Sequence, residues 1–410
     1  MALPNLDVSI DFSSGPIFGY SFTIGDPQHG ILGVNVLADS SSDVVDVSNQ
    51  VLKISIKRGY NLLQDQFQAG TAKVRILDTN GNWNPQSVTS PYYGKLIPLR
   101  KMRISGNGTY LFSGYTTAYN YSYPTDQEVG FVDIELSDAF RLFNMANVTT
   151  VTGSAASQTT GTRINKILDT VSWPNSMREI ETGNSTVQAD PATSRTSLNA
   201  IKNVEFSEQG AFYVGAGGNA EFHQRSTIIK ASGANPTVFA NDGSGINYKN
   251  LTFAFDDKLI INQANMTKIG GTLQNAYDSA SITKYFPHSI SISDLVVETD
   301  AEALNIARTY VATRKETTIR IDSMTLDLNT PDYAAGITAA LTADFFDTFS
   351  IKNVGVDGTI TQKTLQVMGV AHEITPNSWN TTFTTSEPIV DGFIIGNSLY
   401  GIIGQSVMTY

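Results

Sequence analysis

Two stretches decide how this chain folds: DTNGNWNPQSVTSPYYGKLIPLRKMRISGNGTYLFSGY, residues 78–115, and VMGVAHEITPNSWNTTF, residues 367–383. Each reads as strand, Gly/Pro/Asn-rich turn, strand. Asn80 and Gly81 supply turn chemistry, since both tolerate positive φ. Trp83, Tyr92 and Tyr93 follow in a Pro-containing loop, where large rings can anchor an otherwise irregular path. Neither stretch arranges a nucleophile, a base or metal ligands. They speak to construction before chemistry.

Working outward from the first stretch, residues 52–57, 72–77 and 129–136 alternate apolar with polar or charged residues, so each predicts a strand with one side on a core. A helix is expected over 138–145, with Ser137 as its N-cap. The Ser/Thr/Gly-rich run 149–160 reads as a linker. Beyond it Ile164, Ile167, Leu168 and Val171 share one helical face, and Pro174 stops that helix. A second helix is expected from Ser197 to about Glu205. Residues 211–214 and 220–224 flank Gly215-Ala216-Gly217-Gly218 and read as a hairpin. The glycines do not suit a phosphate cradle, because a strand pattern follows them and not a helix N-terminus.

Around the second stretch the β pattern returns at 251–255, 260–264 and 290–292. Thr299 and Glu302 form a capping box for a helix over 301–313, and an alternating strand follows over 319–328. Strands over 345–351, 359–370 and 380–384 complete a second β unit. The chain thus divides into a first β unit (1–145), an inserted α/β module (146–244), a second β unit with an inserted helix at 299–314 (245–386), and an apolar, Gly-rich tail (387–410). The fold class is β-rich α+β. The similar content of the two β units suggests a distant internal duplication without a clean repeat period. Left exposed, the tail would be an aggregation hazard, so it is expected to pack on a neighbouring subunit or within an assembly.

Composition agrees with this organisation. The chain has 410 residues, too many for one ordinary core, with 16 % charged and 10 % aromatic residues. Cysteine is absent, which excludes disulfides and thiolate metal sites. The N-terminus lacks a basic start followed by an apolar run, so no secretory signal is expected. No window reaches the ~18 consecutive apolar residues that would predict a membrane span. The Asn-x-Ser/Thr triplets at Asn107, Asn147, Asn184 and Asn380 read as chance in an Asn/Thr-rich chain.

The net charge of −11 is unevenly placed. Residues 1–52 hold Asp7, Asp11, Asp26, Asp39, Asp43 and Asp46 with no Lys or Arg. Residues 364–410 hold Glu373, Glu387 and Asp391, again with none. A protein that grips nucleic acid clusters its Lys and Arg, and this one does the opposite. Two readings stand: an acidic surface, or acids lining a channel through which DNA slides without sticking.

Candidate chemistry is sparse. His372-Glu373 invites a metal reading, but position 376 is Pro, so HExxH spacing fails and packing at a barrel corner is the default. His29, His223 and His288 lie in unrelated segments. No Gly-x-Ser-x-Gly elbow joins a strand to a helix. Asp256, Asp257 and Glu221 could supply a carboxylate pair for glycoside hydrolysis, yet nothing marks them as more than surface acids. Tyr119, Tyr121 and Tyr123 alternate along one strand, where cross-strand packing or a subunit contact outweighs sugar stacking. No enzyme, cofactor or metal is expected.

Both opening stretches resemble the tube-domain signatures of phage tail hub proteins, which cap the tail tube at its distal end. The first carries Asp78, then Gly81, Trp83 and Pro85, then Ser90 and Pro91, then Leu111, Phe112 and Gly114. The second carries His372, Ile374, Pro376 and Trp379. Residues 281–328 are similar to the family's pattern of strand, helix and returning strand. The resemblance implies two tail-tube-like β-barrels and a homotrimer whose six barrels match the sixfold tube above and a threefold tip below. It also implies tail tube or distal tail proteins above, tip, spike or fibre proteins below, and DNA passing without specific binding. The location implied is the virion tail tip or baseplate, after assembly in the host cytoplasm. Asp39, Asp43 and Asp46 are the candidate bore-lining acids. The competing reading is a receptor- or saccharide-binding tip protein, and after it a glycan- or peptidoglycan-degrading enzyme.

Overall fold

Period-two alternation produces the strands expected of the first β unit. In the computed structural model, residues 3–18, 44–61, 66–124, 129–231, 235–317, 319–330 and 333–387 are described. The first unit comprises β1 (Leu6–Asp11), β2 (Val44–Asp46), β3 (Val51–Asn61), β4 (Gln66–Asp78), β5 (Lys101–Gly106), β6 (Thr109–Ser122) and β7 (Gly130–Ser137). They pair in the order β3-β4-β7-β6-β5-β1-β2, and every pair is antiparallel. The inward residues Val8, Ile10, Ile54, Ile56, Val74, Ile76, Met102, Ile104, Val132 and Ile134 are at most 1 % exposed and belong to one core. Each contributes about 1.5–3 kcal/mol relative to an exposed position. Lys101 and Asp11 are register partners inside this core, with Lys101 Nζ 3.1 Å from Asp11 Oδ2.

The helix that leaves this unit, α1 (Phe140–Met145), starts later than the sequence predicts, and Ser137 does not cap it. Ser137 is still a strand residue, paired with both Thr71 and Tyr115. Asp138 serves the turn, accepting the Phe140 N–H at 2.9 Å, and its carboxylate also takes the Gly70 N–H at 2.5 Å.

The inserted segment holds the short strands β8 (Asn147–Val148), β9 (Gln158–Thr159), β10 (Arg178–Ile180), β11 (Thr186–Val187) and β12 (Arg195–Thr196) around α2 (Thr160–Thr170) and α3 (Ser197–Glu208). Thr159 and Thr196 cap the helices with their side chains, two caps the sequence reading did not name. The second helix continues to Glu208 and is closed by Gln209 at φ 55°; Glu208, fully buried, accepts the Asn184 and Ser185 N–H groups and the Thr160 hydroxyl. The expected hairpin is β13 (Ala211–Val214) and β14 (Ala220–His223), followed by α4 (Arg225–Ala231). Gly215 and Gly218 close its turn through the Gly218 N–H and the Gly215 carbonyl, 2.9 Å apart.

The remaining elements are β15 (Thr237–Ala240), β16 (Asn250–Ala254), β17 (Gln263–Lys268), β18 (Gln274–Tyr277), α5 (Ser279–Tyr285), β19 (Ser289–Leu295), α6 (Asp300–Arg314), β20 (Arg320–Asp327), α7 (Ala334–Thr342), β21 (Thr348–Val354), β22 (Ile360–Thr375) and β23 (Ser378–Ser386). β16, β20, β23 and β22 pair in that order, and β15 joins through β21. The residues expected as strands near 260–264 and 290–292 belong elsewhere. β17, β18 and β19 form a separate three-stranded sheet, in which β17 and β19 are parallel, so the chain crosses over between them. Helix α6 covers that sheet, burying Ala303, Ile306, Ala307, Tyr310 and Val311 on Ala264, Met266 and Leu295. Its capping box is formed by Thr299 and Glu302 as the sequence predicts.

One pairing unites the whole: β22 lies antiparallel to β3, so both β units share a 13-stranded sheet. No helix among the described residues is long and apolar enough to cross a membrane.

Candidate functional site: the seam between the two β units

The first sequence stretch folds as β4, a loop over 79–100, and the β5–β6 hairpin. The loop has no strand or helix, yet it is closed by successive turns: Ser87 N–H to the Asn84 carbonyl, Ser90 to Ser87, Tyr93 to Ser90 and Lys95 to Tyr92. Asp78 anchors its start. Its Oδ1 accepts the Asn82 N–H at 2.9 Å, and its Oδ2 accepts the Trp83 N–H at 2.9 Å and the Tyr121 hydroxyl at 3.1 Å. Gly81 lies between them at φ 71°. Trp83 is 1 % exposed, donates from Nε1 to Gln50 Oε1 at 2.9 Å, and packs on the Tyr92 ring with centroids 5.0 Å apart. Ser90 bonds the Asn82 carbonyl, and its Oγ accepts the Tyr92 N–H. Pro85 and Pro91 occupy turns of the same loop. Leu111 and Phe112 are buried on β6, and a side chain at Gly114 would meet the Phe112 ring and the Ser137 carbonyl.

The second stretch folds as the β22–β23 hairpin, with Pro376 and Asn377 as its two-residue turn between paired Thr375 and Ser378. His372 and Ile374 are buried and pair with Ile56 and Ile54 of β3. The Trp379 indole N–H donates to His372 Nδ1 at 3.3 Å, and Thr381 Oγ1 lies 3.0 Å from the same nitrogen. Burial, helped by Arg58, pushes the His372 imidazole down to about 3, so it is neutral. Glu373 faces the other side of the strand, exposed and paired with Lys53 at 3.4 Å. Adjacent strand residues point oppositely, which separates the two groups of the metal reading.

The structure brings the two motifs onto one seam. Trp379, 1 % exposed, lies on Gly106 of β5, where a Cβ would come within 2.8 Å of its Cη2 and of Leu341 Cδ2. Gly59 of β3 faces Gly369 of β22, and a Cβ on Gly59 would come within 2.7 Å of the Gly369 Cα. None of these three glycines was singled out by the sequence patterns; each becomes legible only through what it faces.

Arg58 is a second residue that sequence reasoning missed. It is 7 % exposed, pairs with Asp344 at 2.9 Å, and lies over the Phe345 ring at 4.9 Å. It thereby pins the start of β21 to β3. Tyr213 of the inserted hairpin packs edge-on to Phe345 with centroids 5.0 Å apart, and its neighbour Phe67 of β4 lies 5.0 Å from Tyr213. Three parts of the chain meet in this aromatic cluster.

The remaining candidates are occupied locally. Asp256 is held by Arg320 at 3.0 Å, and that hydrogen bond lowers its carboxyl to about 2. Asp257 lies 3.3 Å from His288 Nε2. Burial raises the Glu221 carboxyl, which faces Tyr213. Tyr119 and Tyr121 pack against the core and Tyr123 is exposed. Of the candidate bore acids, Asp46 is exposed and its Oδ1 accepts the Ser48 N–H at 2.8 Å; Asp39 and Asp43 lie outside the described residues, as does the tail beyond Glu387. The acidic segments are partly neutralised from elsewhere in the chain: Asp11 by Lys101, Glu373 by Lys53 and Glu387 by Lys363.

No protein-family model matches the chain, and no curated protein matches it by sequence. Solved structures do share its fold. A tail protein from Neisseria meningitidis MC58 superposes with a TM-score of 0.56 at 9 % identity, covering 82 % of this chain and 92 % of that one. The 43 kDa tail protein of prophage MuSo2 from Shewanella oneidensis superposes with a TM-score of 0.56 at 11 % identity, covering 84 % of this chain and 96 % of that one. The chain shares the fold of these two tail proteins.

Proposed function

We propose that this chain is a structural hub at the distal end of a phage tail tube. It assembles as a homotrimer whose six β units match the sixfold tube above and threefold tip, spike or fibre components below. The observation that carries the reading is the β3–β22 pairing, which fixes two β units in one sheet within a fold shared with two tail proteins. A closed threefold ring of such chains presents six related edges, which an isologous dimer cannot.

In this reading residues 1–145 and 245–386 are the two tube-type barrels, and residues 146–244 recruit further tip components from outside the ring. DNA passes through the ring without specific binding, past Asp39, Asp43 and Asp46. The protein works by assembly, sealing and opening, with no bond made or broken and no cofactor. Its place is the virion tail tip or baseplate, reached from the host cytoplasm.

Mass photometry of the purified protein across a concentration series should resolve a species of three chains. A cryo-electron microscopy reconstruction of that species at side-chain resolution should give a threefold ring with a central opening and Asp46 on its inner wall. A monomer that persists at the highest concentration and binds saccharide would replace the hub with a receptor-binding module. Asp46 on the outer wall would remove the channel role of the acids alone.

A further inference from the structure

A recess of about 260 Å³ lies where α2 and α3 of the inserted segment meet the end of β19. Its most buried polar member is Arg163 of α2, 1 % exposed. Arg163 donates from Nε to Gln158 Oε1 at 3.4 Å, and from Nη2 to the carbonyls of Ala155 at 2.9 Å and Gln188 at 2.8 Å. Its Nη1 has no acceptor among the described residues. An arginine keeps its proton in a protein, so a buried positive charge here has two N–H groups left over.

The neighbouring charges do not cancel it. Arg195, largely buried, pairs with Asp190, whose other oxygen accepts the Ala192 N–H at 3.1 Å. Burial lowers the Arg163 pKa, Asp190 raises it and Arg195 lowers it, so the three groups act as one cluster. Two guanidiniums share one carboxylate, which leaves one buried positive charge unbalanced. Asp294 stands at the opening but is exposed, where solvent screens it. A buried charge without a counterion is costly, and charged N–H donors make their strongest hydrogen bonds to an oxyanion.

We propose that this recess binds a small molecule through one oxyanion group, a carboxylate or a phosphate, held by Arg163 Nη1. The hydroxyls of Thr193 and Ser194 and the amides of Asn199 and Asn203 line the same recess and receive the rest of the ligand. The site is separate from the seam between the β units, and its occupant ties the inserted segment to the sheet that carries β19.

Isothermal titration of the full chain with inorganic phosphate and, separately, with acetate, at fixed ionic strength in chloride, tests the site. At least one anion should bind at one equivalent with a dissociation constant on the order of 1 mM, as two charged hydrogen bonds provide. Binding of phosphate alone or of acetate alone identifies which oxyanion the site takes. Arg163→Gln should weaken binding at least about tenfold through the lost charged bonds. Because Arg163 also holds two carbonyls, a second variant guards against misfolding: Asn199→Asp adds an acid at the rim, in the first turn of α3, where a carboxylate suits the helix. It should keep its circular dichroism and weaken binding by about tenfold as well, through like-charge repulsion. No saturable heat with either anion at about 10 mM would overturn the proposal. Binding indifferent to Asn199→Asp, or retained in a folded Arg163→Gln, would overturn it too.

Discussion

Asp78 does at the residue scale what a loop without regular structure needs: it accepts two backbone N–H groups and a tyrosine hydroxyl from one buried position. Asp78→Ala leaves the Asn82 and Trp83 amides without acceptors, each costing about 1–3 kcal/mol, so the urea midpoint should fall by the equivalent of roughly 2–6 kcal/mol. An unchanged midpoint would mean the loop is not anchored there. Two buried titratable groups carry opposite pH dependences. Burial raises the Asp138 carboxyl from 3.8 to about 7, so between those values the folded chain holds a proton that the unfolded chain releases, and raising the pH costs stability. Burial lowers the His372 ring from 6.5 to about 3, so over that range the unfolded chain holds the extra proton, and raising the pH adds stability. The two slopes offset each other in the window they share. Asp138→Asn removes the downward slope that Asp138 contributes, so its unfolding free energies at pH 4, 5.5 and 7 should climb relative to the wild-type chain; parallel curves would contradict the burial of a protonated Asp138.

At the scale of elements, the seam between β3 and β22 depends on glycine meeting glycine. Gly59→Val would place a branched side chain against the Gly369 backbone, and overpacking of this kind costs about 1–3 kcal/mol or more. The expected signature in hydrogen exchange is faster opening of β3 and β22 amides with the inserted helices α2 and α3 still protected; uniform exchange across the chain would mean the seam is not a separable contact. Elements with strong local codes were legible in the sequence. The Thr299/Glu302 capping box, the 211–223 hairpin and the alternating strands of the first unit all fold as their patterns dictate. The start of α1 was not, because Ser137 has a choice between capping and pairing, and the two strands flanking it offer the pairing. The separate β17–β19 sheet was not legible either. A short alternating strand looks the same whichever sheet recruits it, and the decision lies with α6, whose buried face needs a platform.

For the whole molecule, the charge pattern changes meaning once the chain is folded. Asp11, Glu373 and Glu387 lie in segments free of Lys and Arg, yet each has a lysine brought from a distant position. Linear charge excess is therefore a poor guide to the surface field here, and the channel reading rests on Asp39, Asp43 and Asp46. The proposed trimer belongs to this scale too, since a ring of this kind requires that both β units move as one body. The sequence by itself determined the β-rich class, helices α2 and α3 of the inserted segment, the two turn motifs and the exclusion of disulfides, because these depend on residues close in the chain; α4 was not among them. The tertiary structure decided that Trp379 rests on Gly106, that Gly59 meets Gly369, and that both β units are one sheet. The physical reason is that such close approaches are specified jointly by two distant surfaces, and a glycine or a ring announces nothing about its partner until the chain has brought them together.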